Sequence, residues 1–192
     1  MRNIARFSHS PIPADPHAII TLTGLGSDSD PTSSFAKFIR DQSVNAWSFE
    51  RKGDVRLAEP GALSVYRGRL MTEMDHLLQS ESITQIHLLA NSFGAFAVLH
   101  ALSKGQLPGL ASLTLLAPLI DPYPIISGLP AGLHRENAIL VPVEAGNRFI
   151  PIHRQNLADL DEWRPVPTNV PTLAIIGSKD EVENPANLSR IE

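Results

Sequence analysis

Ser92 stands in the stretch Ala90-Asn91-Ser92-Phe93-Gly94, with a small residue two positions before it and another two positions after it. A serine hydroxyl works as a nucleophile when a sharp strand-to-helix turn lifts it above a sheet. Strand and helix pass close together at such a turn, so the flanking positions must be small. The stretch matches G-x-S-x-G with alanine at the first small position. A helix start also offers unpaired backbone N–H groups and the positive end of the helix dipole, both of which favour a developing anion. The Phe93 N–H would be one such oxyanion donor. The plainer alternative is that Ser92 only caps the following helix.

Two other stretches could serve that serine. Thr23-Gly24-Leu25-Gly26 ends an apolar β-branched run, and the Leu25 N–H is the candidate second donor of an oxyanion hole. Asp180 lies three residues beyond Gly177, at the end of the run Val170-Pro171-Thr172-Leu173-Ala174-Ile175-Ile176, where an orienting carboxylate belongs. It follows Ser92 by 180 − 92 = 88 residues, in the chain order Ser…Asp. Asp121, in Ala117-Pro118-Leu119-Ile120-Asp121-Pro122, is a second candidate acid. Asp180 is preferred because it follows its strand at the usual offset.

The elements that must position these groups follow from periodicity. Strands are predicted over 17–26, 43–50, 84–90, 111–118 and 170–178, and helices over 31–42, 62–79 and 92–104. Leu63, Tyr66, Leu70, Met74 and Leu77 give the second helix one apolar face at spacings of three and four. Runs apolar on both faces and separated by helices indicate an α/β chain with a predominantly parallel sheet covered on both sides. Residues 119–169 break the rhythm, with many prolines and no clear period. They are expected to form an irregular, lid-like insertion within one domain spanning 1–192. Their Leu119, Ile120, Ile125, Ile126, Leu129 and Leu133 suit either an apolar substrate pocket or packing on the sheet.

From His17 to Pro185 the chain resembles the α/β-hydrolase fold family. The carriers are TGLG after the first of these strands, FERKGD after the second, ANSFGA, LLAPLID and VPTLAIIGSKDEVENP. The resemblance implies a doubly wound sheet and a serine hydrolase of carboxylic esters, thioesters or similar acyl bonds. In it, Ser92 attacks the carbonyl, the Leu25 and Phe93 N–H groups hold the oxyanion, and an Asp180-oriented histidine carries the proton. No cofactor or metal is implied. A serine at the elbow argues against relatives that displace halide or open epoxides, which use aspartate there.

The histidine is what the sequence does not supply. The resemblance puts it on a loop one strand beyond the acid, which takes roughly 20 residues. Only 192 − 180 = 12 residues follow Asp180, and none is histidine. His76, His87 and His100 fall inside predicted elements and read as structural. His17 precedes the first of these strands, at the wrong end of the sheet, and His9 lies in the N-terminal tail. His134 and His153 lie in the insertion and can in principle fold over Ser92. Three explanations stand: a fragment lacking a last strand, helix and histidine; a degenerate hydrolase kept for binding; or a substitute histidine from the insertion. The first is preferred for the parent molecule, because 170–177 would otherwise be a long apolar edge that needs a partner to cover it.

Bulk properties exclude other classes. The 192 residues carry a net charge of −4, with pI about 6.0, which argues against nucleic-acid or anionic-membrane partners. There are no cysteines, hence no disulfides or thiolate metal sites. No run of apolar residues is long enough to span a membrane and the first residues lack the apolar core of a signal peptide, so a cytoplasmic protein with a small-molecule acyl substrate is expected. Gly24-Leu25-Gly26 also suits a dinucleotide-binding turn with Glu50 as ribose acid. Ser29 replaces its third glycine, however, and Asp28 and Asp30 would repel a pyrophosphate. His134-Arg135-Glu136 matches a fragment of a zinc deaminase motif whose cysteine partners are missing. The serious rival is a non-catalytic binding protein on the hydrolase scaffold.

Overall fold

The structure is a computed structural model that describes residues 4–6, 15–25, 45–49, 57–80, 82–143, 148–164 and 167–177. The predicted helix over 31–42, Glu50, Asp180 and the other residues after Gly177 lie outside the described residues.

Six strands form the main sheet, and β1 (Ile4–Arg6) opens it, antiparallel to its neighbour. The other five run parallel: β2 (His17–Leu22), β3 (Ala46–Phe49), β4 (Gln85–Asn91), β5 (Leu110–Leu116) and β8 (Thr172–Ile175), in the order β1-β3-β2-β4-β5-β8. From β2 the chain moves outward to β3, then crosses back to β4 on the other side of β2. That reversal leaves a crevice between the carboxyl ends of β2 and β4, the place where open α/β sheets bind ligands.

The inner parallel strands are apolar runs because both faces are covered. Ala18, Ile20 and Leu22 of β2, Trp47 and Phe49 of β3, and Ile86, Leu88 and Ala90 of β4 are all buried. Helix α1 (Ala62–Ser80) sends Leu63, Tyr66, Leu70, Met74 and Leu77 into this core, the apolar stripe its sequence predicts. Helix α2 (Phe93–Ser103) is buried along nearly its whole length, from Phe93 to Ala101. It has no polar stripe, so only a position between α1, the sheet and further cover suits it.

The 119–169 segment has more regular structure than its prolines suggest. It contains α3 (Tyr123–Ser127), a 3₁₀ turn at Ala131–Leu133, a hairpin of β6 (Ala138–Val143) and β7 (Arg148–His153), and α4 (Arg154–Glu162). Buried Asn156 fastens α4 to the chain entering α1. Its amide donates to the carbonyls of Leu57 and Glu59, both at 2.8 Å, and its oxygen accepts the Ala62 N–H at 3.1 Å. Trp163 packs edge-on against Phe96 of α2, and its indole N–H donates to the Ile120 carbonyl at 2.9 Å. Leu119, Ile120 and Ile126 belong to the main core, so packing accounts for them. Strand β8 ends the sheet opposite β1, with Leu173 and Ile175 more than half exposed.

Candidate functional site

Ser92 follows the last residue of β4 and directly precedes α2. Its backbone sits at φ 51°, ψ −119°, a region almost reserved for glycine. This conformation turns the chain from strand to helix in a single residue. The surrounding backbone holds it there: the Ser92 N–H donates to the Leu116 carbonyl of β5 at 3.0 Å, and its carbonyl accepts from Ala95 at 3.0 Å and Leu119 at 3.1 Å. The side chain makes no capping hydrogen bond to α2. The capping alternative is therefore set aside, because the hydroxyl is not spent on the helix it precedes.

The small neighbours have a measurable reason. Strands β2 and β4 pair with Leu22 opposite Ala90, which brings Thr23-Gly24 alongside Asn91-Ser92. A β-carbon placed on Gly24 would lie 2.9 Å from the Ser92 Cβ and 3.3 Å from its hydroxyl oxygen. One placed on Gly94 would lie 2.7 Å from the Thr23 carbonyl oxygen and 2.9 Å from that of Leu22. Contacts this short do not occur between such atoms, so β2 and the first turn of α2 meet only because both positions are glycine. Ala90, the other small position, is fully buried. In the sequence Gly24 reads only as part of the turn Thr23-Gly24-Leu25-Gly26. Its contact with Ser92 depends on the register of two strands some seventy residues apart, which spacing along the chain does not reveal.

Around the serine, the structure places Phe93 as the first residue of α2, where a helix leaves its backbone N–H groups without intrahelical partners. Leu25 lies just past the end of β2 on the neighbouring strand, packed against the core. Both oxyanion candidates thus flank the crevice between β2 and β4. Asp121 lies five residues beyond the end of β5, two residues after the Leu119 N–H that donates to Ser92. Asp180 lies outside the described residues. Strand β8, which leads toward it, is parallel to β5, with Ile175 paired to Leu116, so it ends at the rim where Ser92 sits.

The described histidines have other occupations. His134 donates from Nε2 to the Leu129 carbonyl at 3.0 Å. His153 is the N-cap of α4, its Nδ1 accepting the Gln155 N–H at 3.1 Å. His100 is buried in α2 against Phe96 and Trp163. Burial first, then Lys104, lowers its pKa, with Asp159 opposing them. His17 and His87 stand toward the amino end of the sheet.

Among the described residues, one cavity touches this turn and others lie along α2. The one touching Thr23, Phe93 and Gly94 holds only about 10 Å³, barely room for a water. A larger one of about 390 Å³, lined by Leu102, Leu107, Leu110 and Val170, lies at the far end of α2, a helix length of about 16 Å from the serine.

A parallel sheet with this strand order, a strained serine at the carboxyl end of β4 and glycines that let β2 and α2 touch it define the α/β-hydrolase fold, and solved structures agree. The chain is similar to Est1E from Butyrivibrio proteoclasticus, solved with ferulic acid bound, at 16% identity and TM-score 0.69, over 98% of this chain and 80% of that one. It is similar to mouse alpha/beta hydrolase domain-containing protein 10 at 16% identity and TM-score 0.63, over 98% and 77% of the two chains. It is also similar to a monoacylglycerol lipase from Paleococcus ferrophilus at 13% identity and TM-score 0.58, over 97% and 81%. No family model matches the sequence, and no curated protein matches it. At identities this low, the likeness in structure establishes the shared fold alone.

Among the described residues no helix is long and apolar enough to cross a membrane.

Proposed function

We propose that the protein is a serine hydrolase that cleaves carboxylic ester, thioester or related acyl bonds through an acyl-enzyme on Ser92. The observation that carries this reading is the backbone of Ser92, strained at φ 51° and ψ −119° with a side chain that does not cap α2. Strain of this kind costs about 1–3 kcal/mol and persists where function uses it. In the proposed reaction the Ser92 oxygen adds to the substrate carbonyl, whose oxygen takes the negative charge facing the Leu25 and Phe93 N–H groups. The step calls for a histidine base, oriented by Asp180 or by Asp121, to take the hydroxyl proton and return it to the leaving group; His134 or His153 would have to leave its present hydrogen bond to fill that place. Water then repeats the sequence to free the acid and restore Ser92. No cofactor enters these steps. The likeness to Est1E, solved with ferulic acid bound, and to a monoacylglycerol lipase supports the acyl-bond class. A small-molecule acyl substrate in the cytoplasm, with the 119–169 segment shaping the pocket as a lid, completes the proposal.

A fluorophosphonate probe tests it. Labelling of Ser92, lost in Ser92→Ala, is the expected result, and a folded sample that takes up no label overturns it.

A second reading rests on His134 and His153, whose hydrogen bonds to Leu129 and Gln155 engage them in local structure. Neither is held ready as a base, and a binding protein on the same scaffold needs none. Saturable ligand binding that survives Ser92→Ala, without hydrolysis of short nitrophenyl esters, would favour it.

A further inference from the structure

Away from Ser92, a cavity of about 320 Å³ opens where α2, α4 and the start of α1 meet. His100, Lys104, Asp159, Glu162, Trp163 and Arg164 form most of its lining. His100 stands about 12 Å along the helix axis from Ser92. The hydrolase reading uses none of these groups.

Four charges of both signs line this space without neutralising one another. Lys104 and Arg164 bring two cations, Asp159 and Glu162 two carboxylates, and no ion pair joins any of them among the described residues. Arg164 donates from Nη1 to the carbonyls of Asp161 and Trp163, at 2.6 Å each. This fixes the guanidinium and keeps its Nε and Nη2 donors for another partner. The cations have an ordinary explanation: Lys104 follows α2 and Arg164 follows α4, where positive charge complements the negative end of a helix dipole. The carboxylates do not. Asp159 and Glu162 stand in the last turn of α4, which holds no basic residue, so both oppose the dipole. The C-terminal end of α2 meets the same cavity and adds to the negative potential. A cation bound between the two helix ends offsets that cost.

His100 supplies an independent sign. It is only 5% exposed, and its Nδ1 is buried with no hydrogen-bond partner among the described residues. A buried nitrogen without a partner is rare and calls for an explanation. A ligand in contact with this ring gives it the polar neighbour it lacks. The ring stands beside Trp163, centroids 5.8 Å apart, and the two make one wall aromatic. The Trp163 N–H is already given to Ile120, so that wall offers ring surface, which attracts an ammonium group.

We propose that this cavity binds a small zwitterion of the α-amino acid class, its ammonium group held by Asp159 and Glu162 and its carboxylate by Lys104 and Arg164. A simple anion would meet two carboxylates and a simple cation two basic groups, so a ligand carrying both charges suits the lining best. The volume lies at the small end of ligand cavities, which run from about 300 to 1,000 Å³, and fits a single amino acid better than a peptide.

The test is calorimetry of the full chain against the common L-α-amino acids, one at a time at millimolar concentration, with melting temperature as a second readout. At least one should bind with one equivalent and raise the melting temperature. Its N-acetyl derivative, which lacks the ammonium, and its amide, which lacks the carboxylate, should each bind at least about tenfold more weakly. Lys104→Ala and Asp159→Asn should each weaken binding by at least about tenfold, Lys104→Arg should retain it, and Ser92→Ala should leave it unchanged. Lys104 is exposed, so its replacement tests the site without threatening the fold. Glu162→Gln separates ligand duty from structural duty. It should bind more weakly yet melt no lower than the parent without ligand, since it removes a charge opposed to the helix dipole. Absence of binding by every amino acid, equal binding of the N-acetyl derivative or the amide, or binding that survives Lys104→Ala and Asp159→Asn together overturns the proposal.

Discussion

Replacing Ser92 with glycine should make the protein more stable while removing the proposed nucleophile. At φ 51° and ψ −119° the serine occupies a backbone region that glycine enters freely, and relieving the strain is worth about 1–3 kcal/mol. Against this, glycine adds freedom to the unfolded chain, at a cost of about 0.4–1 kcal/mol. Little packing is lost, since the side chain is short and only partly buried. The backbone hydrogen bonds to Leu116, Ala95 and Leu119 are unaffected. The balance is a gain of about 1 kcal/mol, which for a chain of this length raises the melting temperature by about 2–4 °C. Ser92→Ala, which keeps a β-carbon in the strained region, should melt close to the parent. Urea unfolding and thermal melts of the three proteins side by side decide the matter. A Ser92→Gly variant no more stable than Ser92→Ala would refute the reasoning, because the turn would then hold no strain for function to use.

The close approach of β2 to α2 predicts that Gly94→Ala destabilises by about 1–3 kcal/mol, since its new β-carbon meets backbone oxygens that no side-chain rotation can clear. Gly68→Ala, in the exposed middle of α1 with nothing within 4 Å of the added carbon, should instead stabilise by up to about 1 kcal/mol in the same denaturation assay. His100 sets a pH dependence: its folded pKa lies below the ordinary value of 6.5 through burial and Lys104. Below that value the unfolded chain takes a proton that the folded one resists, so the contribution of His100 to stability is full above pH 6.5 and is lost as the pH falls toward its folded pKa. His100→Phe should flatten the fall in urea stability from neutral to mildly acid pH, leaving the part due to His87, whose pKa burial also lowers.

Much of the fold was legible because the parallel strands are nearly continuous apolar runs, which only a doubly covered sheet explains. The five strands expected near 17–26, 43–50, 84–90, 111–118 and 170–178 appear as β2, β3, β4, β5 and β8; β2, β3 and β8 are shorter than expected, β4 is displaced one residue onward, and β5 starts one residue earlier and ends two sooner. The α1 stripe from Leu63 to Leu77 was readable for the same reason, since burial imposes the helical period. Strand β1 was not, because three residues give no measurable alternation. The hairpin at 138–153 was hidden by Pro142 and Pro151, which count against strands yet sit here at exposed positions of a two-stranded ribbon. Asn156 carried no signal either, as its partners are backbone groups nearly a hundred residues away.

The candidate site divides along the same line. What local backbone chemistry demands was readable: a small-x-Ser-x-small turn is a statement about steric room, and the built contacts at Gly94 show where that room is used. What depends on register was not. Gly24 touches Ser92 because Leu22 pairs with Ala90, and His87 reaches both His17 and Ser112 because β4 lies between β2 and β5. In the sequence these three residues are scattered, and the strand period left His87 as an ordinary interior histidine. The same sheet therefore brings together two polar constellations, a serine turn at the carboxyl end of β4 and a histidine pair toward its amino end. They differ in how they are held. The serine is kept in place by backbone strain that glycine can relieve, and the histidines by side-chain hydrogen bonds that Ser112→Ala can loosen. Substitutions at one end should leave the behaviour of the other unchanged, because no described hydrogen bond joins the two sets of side chains.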